Sequence, residues 1–161
     1  MGLDTYLFNS SKLPNVEVCY WRKCWGIDKW LNSKIDKNKP IWETPEQEKD
    51  HYTPYYEFDC SILNPIVDKM KVYINKLTEK AKLYSVIESL EDLRLYICEL
   101  EDCDYDNYAE FEKLLYTFNI DGLTIETFRD SNWSVVDTFI QTYKNFEEAI
   151  KYEKLYLLSS F

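Results

Sequence analysis

Three glycines, at positions 2, 26 and 122, are too few and too scattered to form a phosphate-cradling loop, so Walker and dinucleotide fingerprints are absent. With only five prolines beside them, sharp turns are scarce and helices should predominate. His51 is the single histidine and thus the only conventional base for a serine or cysteine nucleophile, and no G-x-S-x-G occurs. The five cysteines, Cys19, Cys24, Cys60, Cys98 and Cys103, contain no C-x-x-C pair. They read as reduced thiols of a cytoplasmic protein, without a zinc site or a disulfide framework. No apolar run approaches the roughly 18 residues that a membrane span needs, and no charged leader precedes one.

Charge and aromatic side chains are plentiful. The net charge of −10 is uneven: residues 1–50 hold eight Lys/Arg and eight Asp/Glu, so residues 51–161 carry the whole excess. An acidic body repels nucleic acid and anionic membranes, whose binding runs through Lys and Arg on phosphates, so neither is expected as a direct partner. At 161 residues the chain suits one domain. Fourteen tyrosines and five tryptophans raise its aromatic content to 17%.

The densest stretch is Val18 to Leu31, VCYWRKCWGIDKWL. At helical spacing Tyr20, Cys24, Ile27 and Leu31 fall on one stripe, and Val18, Trp21 and Trp25 on the next, which predicts a helix buried on two sides. Upstream, Leu3, Thr5 and Leu7 alternate with Tyr6 and Phe8 as in a strand, and the terminal KLYLLSSF predicts a strand paired with it. Residues 32–58 read as a long polar loop. Leu63, Val67, Met70, Ile74, Leu77 and Ala81 predict an amphipathic helix capped by Ser61 or Asn64. A further helix covers Ser85 to Leu93, with residues 93–100 open between helix and strand. Asp102, Asp104 and Asp106 have the spacing of calcium-loop ligands, but Asn107 and Lys113 stand where glycine and glutamate are required, so no metal site is expected. Asp106 is instead read as the cap of a helix burying Tyr108, Phe111, Leu115 and Phe118. Leu123 to Phe128 reads as a short strand, and Ser131 or Asn132 as the cap of a last helix. The expectation is a single α+β domain of four or five helices, with a small antiparallel sheet that includes both terminal strands.

The opening MGLDTYL, the segment EVCYWRKCWGIDKWL and the ending LYLLSSF resemble an uncharacterised family of small bacteriophage and prophage proteins that begin MGLDMYL, carry EVAYWRKANAIHKWF and close with SSW. The likeness covers residues 1–8 and 17–31 well, residues 133–161 loosely and the middle not at all. Trp25 stands where that family has asparagine, and Asp28 where it has histidine. The resemblance implies a phage or mobile-element origin and no mechanism.

Three functions follow as expectations. A non-enzymatic counter-defence protein would block a basic, nucleic-acid-handling host factor, such as a CRISPR effector, with an acidic tyrosine-bearing surface at Asp102, Asp104, Tyr105, Asp106 and Tyr108. A small-ligand or nucleotide-signal binder would hold an anion with Arg22, Lys23 and Lys29 and stack Trp21 or Trp25 on a ring. An unfamiliar enzyme would rely on Asp28 or His51. No cofactor is expected.

Overall fold

The computed structural model describes residues 2–42 and 53–160. Its centre is a four-stranded antiparallel sheet of order β2-β1-β6-β3, built from β1 (Asp4–Phe8), β2 (Glu17–Arg22), β3 (Tyr56–Asp59) and β6 (Lys154–Ser160). The two terminal strands pair as expected, with Tyr6 opposite Leu158 and Leu7 opposite Leu157. Alternation decides the sheet's two faces: Leu7, Cys19, Trp21, Phe58, Leu155 and Leu157 point into the core, while Tyr6, Phe8, Tyr20 and Tyr156 are only half-buried. Tyr6 stacks on both Phe8 and Tyr20, at 5.2 and 5.1 Å between centroids.

Six helices lie among the described residues: α1 (Trp25–Asn32), α2 (Asn64–Lys82), α3 (Leu90–Cys103), α4 (Tyr105–Lys113), α5 (Ile125–Arg129) and α6 (Val135–Ala149). Helix α6 packs on β2 and gathers α2, α3, α4 and α5 around it. Phe118, Phe128 and Phe139 meet at its buried side, with centroids 5.1 to 5.9 Å apart. The stripe Leu63, Val67, Met70, Ile74, Leu77 and Ala81 is buried throughout, as its spacing predicted.

Several expectations fail for physical reasons. The aromatic stretch is not one helix: Glu17–Arg22 is a strand, Lys23 turns the chain at φ 54°, and only Trp25–Asn32 is helical. Val18 to Trp21 are all apolar or aromatic, so periodicity does not separate strand from helix there, and pairing with β1 selects the strand. The same period buries Cys19 and Trp21 and leaves Tyr20 half-exposed. The polar stretch 32–58 ends in strand β3, preceded by a bridge between Ile41 and Tyr55, and the middle of that stretch lies outside the described residues. Residues 93–100, open between helix and strand in the sequence, are helical within α3, which starts at Leu90 behind a Ser89 cap and not at Ser85, with Leu93 and Ile97 buried. Leu123–Thr124 (β5) is a strand paired with β4 (Asn119–Ile120), but Ile125–Arg129 turns helical behind a Thr124–Thr127 capping box.

Caps also differ from expectation. Asp59 caps a 3₁₀ turn at Cys60–Leu63 that feeds α2, Asp104 rather than Asp106 caps α4, and Ser134 rather than Ser131 or Asn132 caps α6. Between β4 and β5, Asp121 and Gly122 both take positive φ, 50° and 85°, the type I′ geometry that Asp-Gly favours. The Trp30 indole donates to the Asp121 carbonyl at 2.8 Å, and Lys34 reaches its carboxylate at 2.9 Å, so this turn is latched to α1.

Candidate functional site

The five residues expected to hold a ligand are divided by the fold. Trp21 is 1% exposed, its indole N–H donating to Thr142 Oγ1 at 3.1 Å, so it supports the core and does not stack on a ligand in solvent. Arg22 is exposed at the end of β2, and Lys23 occupies the left-handed corner. Trp25 opens α1, half-exposed. Lys29, one turn on, borders a separate hollow of about 360 Å³ with Trp30, Glu126 and Asp130.

Arg22 instead belongs to a cleft of about 380 Å³ between the end of β2 and the first turns of α6. Trp21 and Cys24 line its base, and Arg94, Trp133, Asp137 and Gln141 complete its wall. Trp133 is held by a 2.7 Å hydrogen bond from its indole N–H to the Arg22 carbonyl, yet remains 51% exposed. Arg94 is fixed by Asp137 at 2.8 Å and Glu91 at 2.9 Å. The Arg22 guanidinium has no ion pair or hydrogen bond among the described residues. Sequence reading missed Arg94, Trp133 and Gln141. The available signal was scarcity: only three of the nineteen basic residues are arginines, and Trp133 is the one tryptophan beyond residue 42.

The acidic set is closer to expectation. Asp102, Asp104, Tyr105 and Asp106 are exposed at the α3–α4 corner, Tyr105 at 62%. Asp104 is occupied as a cap, accepting from the Asn107 N–H at 3.4 Å and its side-chain amide at 2.8 Å. Asp102 and Asp106 meet no cation among the described residues. Tyr108 differs: it is 3% exposed and shares a 2.7 Å hydrogen bond with Ser134, and burial pushes its hydroxyl up to about 12. It anchors the corner from inside and offers nothing to a partner.

No protein-family model, curated protein or solved structure matches this chain.

Of the two residues considered for chemistry, His51 lies outside the described residues. Asp28 is a structural acceptor, taking the Thr5 hydroxyl at 2.8 Å and the Ser159 hydroxyl at 2.5 Å, and so tying α1 to both terminal strands. Asp28→Ala should cost about 1 to 3 kcal/mol by stranding these hydroxyls, Thr5 being fully buried, whereas Asp28→Asn keeps an acceptor oxygen and should lose less. Urea melts of the two variants give the comparison, and equal losses would refute the acceptor role.

Among the described residues no group of three or more His, Cys, Asp or Glu is placed to hold a metal, and no helix is long and apolar enough to cross a membrane. All five thiols are free. Burial raises Cys19 strongly, Cys24 and Cys60 to about 12, and Cys98 to about 11, so none of these four is a thiolate nucleophile near neutral pH. Cys103 alone is exposed and should take up a thiol reagent rapidly at pH 8, a phase that Cys103→Ser removes. Since the buried thiols titrate higher in the folded chain than at their ordinary 9.0, their contribution is complete below pH 9 and is lost as pH rises towards 12. Denaturant melts at pH 7, 9 and 11 should therefore show stability falling only on the alkaline side.

Proposed function

We propose that this protein acts by contact and not by turnover, as a cytoplasmic accessory protein of phage or mobile-element origin that occupies the phosphate-binding groove of a basic, nucleic-acid-handling host factor, for example a CRISPR effector. The observation that carries the reading is the α3–α4 corner, where exposed Tyr105 stands among Asp102, Asp104 and Asp106, none of which meets a cation among the described residues. Uncompensated carboxylates imitate the charge of a phosphate backbone, and a tyrosine adds contact area at small entropic cost. The acidic excess of residues 51–161 extends the same field around the corner.

The test is inhibition of purified host effectors in a DNA-binding and cleavage assay at low and high salt. The intact protein should block at least one effector at low salt. A variant with Asp102, Asp104 and Asp106 all changed to Asn should weaken that inhibition about tenfold or more, because three charges are removed while asparagine preserves the Asp104 cap. Unchanged inhibition by this variant, or no effector blocked at low salt, would reject the reading.

A further inference from the structure

We infer that the cleft beside Trp133 is a binding site for an aromatic anion of mononucleotide size, with Arg22 holding the anionic group and Trp133 stacking on the ring. This goes beyond the contact function and depends on different residues.

The arginine distribution is the first support. The chain has sixteen lysines and three arginines, and all three arginines flank Trp133: Arg22 and Arg94 share its cleft, and Arg129 shares the hollow on its other border. Arginine presents a planar fork of donors that matches phosphate or carboxylate geometry in a way lysine does not. Two of the three forks are already engaged. Arg129 bonds Glu112 at 2.9 Å and Glu126 at 3.0 Å, and Arg94 bonds Asp137 and Glu91. Among the described residues Arg22 is left with its fork open.

The second support is the indole. A tryptophan that is half-exposed and yet held by a 2.7 Å hydrogen bond to the Arg22 carbonyl is a stacking surface already in place, with little freedom left to lose on binding. That bond also seats it against the backbone of Arg22, which lines the same cleft. Ser131 reinforces the arrangement, its hydroxyl accepting from the Trp133 backbone N–H at 3.3 Å and contacting Thr138 at 3.0 Å.

The remaining lining suits a ligand with a polar edge. Gln141 has a side-chain amide without a partner among the described residues, and it offers both donors and an acceptor to a ring edge. The carboxylate facing the cleft, Asp137, is taken up by Arg94 and by the Cys98 thiol. Asp4, opposite Arg22 across the strands, accepts the Tyr20 hydroxyl at 3.0 Å. Counted over its lining alone, Arg22 and Arg94 against Asp137, the cleft carries one net positive charge on a molecule whose net charge is −10. At about 380 Å³ the space lies at the lower end of the range for small-molecule sites, which fits a mononucleotide.

The test is titration of the full chain with adenosine 5′-monophosphate, guanosine 5′-monophosphate, adenosine, ribose 5-phosphate and benzoate, read by tryptophan emission, thermal melting and calorimetry. A mononucleotide should quench emission and raise the melting temperature, binding about tenfold or more tightly than adenosine or ribose 5-phosphate, which each offer half of the recognition. Arg22→Ala should weaken the mononucleotide about tenfold while leaving adenosine unchanged, and Trp133→Ala should weaken both. Trp133→Phe should restore part of the stacking. Arg22 is exposed and has no ion pair among the described residues, so truncating its side chain leaves the fold intact. Benzoate binding more tightly than either mononucleotide, no response to any probe at millimolar concentration, or mononucleotide binding unaffected by Arg22→Ala would each overturn the assignment. Because Arg22 lies outside the acidic corner, Arg22→Ala should still inhibit a host effector, so the two proposals can fail separately.

Discussion

Gly26→Ala is expected to destabilise the protein by about 3 kcal/mol or more, at the upper end of what overpacking causes. A Cβ at this position would lie 2.1 Å from the Thr127 carbonyl oxygen, a distance that real Cβ atoms do not adopt. The obstacle is backbone and cannot swing aside as a side chain would. Helix α1 crosses α5 at this point, and the Gly26 N–H donates to the Asp130 carbonyl at 3.1 Å, so separating the helices also breaks that bond. The consequence should reach beyond α1. Trp30 on the same helix and Lys34 just past its end latch the Asp121–Gly122 turn, and moving α1 away from α5 should loosen both. Urea denaturation followed by circular dichroism measures the loss, and a Gly26→Ala variant within about 1 kcal/mol of the parent would show that the two helices are not closely apposed.

Trp21→Ala should cost about 3 to 5 kcal/mol, the range for deleting a buried aromatic side chain. Its ring is packed edge-on against Phe146 at 5.9 Å and its N–H is satisfied by Thr142, so the deletion leaves both a void and an unpaired hydroxyl. Against a typical total of about 5 to 15 kcal/mol, such a loss leaves much of the population unfolded under mild conditions. Trp21→Phe separates the two contributions. It keeps a six-membered ring in the core and removes the indole N–H with the rest of the five-membered ring, so it should cost about 1 to 3 kcal/mol, less than the alanine variant. If Trp21→Ala abolished ligand binding while leaving the melting profile unchanged, the residue would belong to a recognition surface and not to the core.

Trp21 also shows how a correct burial prediction can rest on an incorrect element. The sequence places it inside on a helical stripe with Val18 and Trp25, and it is inside, but on a strand whose period pairs it with Cys19. Trp25, assigned to the same stripe, is 42% exposed because Lys23 resets the phase between them. Over six residues the two periods differ too little to be distinguished, and the free edge of β1 decides between them. Ile125 to Phe128 shows the reverse case, where apparent alternation yields to a capping box at Thr124. By contrast, the run from Leu63 to Ala81 spans enough turns for one period to be unambiguous, and its burial follows the prediction at every apolar position named.

The acidic corner is legible for a similar reason: Asp102, Asp104, Tyr105 and Asp106 are adjacent in the chain, so any local structure keeps them together. The cleft is not. Arg22, Arg94 and Trp133 come from β2, α3 and the turn before α6, and nothing in their spacing indicates that they meet.

The sequence by itself determined the balance of helix and strand, the pairing of the first and last strands, the major helix and the uneven charge, because each is expressed in composition or in short repeating intervals. Tertiary structure decided which period Glu17–Arg22 follows, which helix surfaces Gly26 brings into contact, and which distant cations share a cleft. Those outcomes depend on neighbours separated by tens of residues, whose positions exist only once the chain has packed.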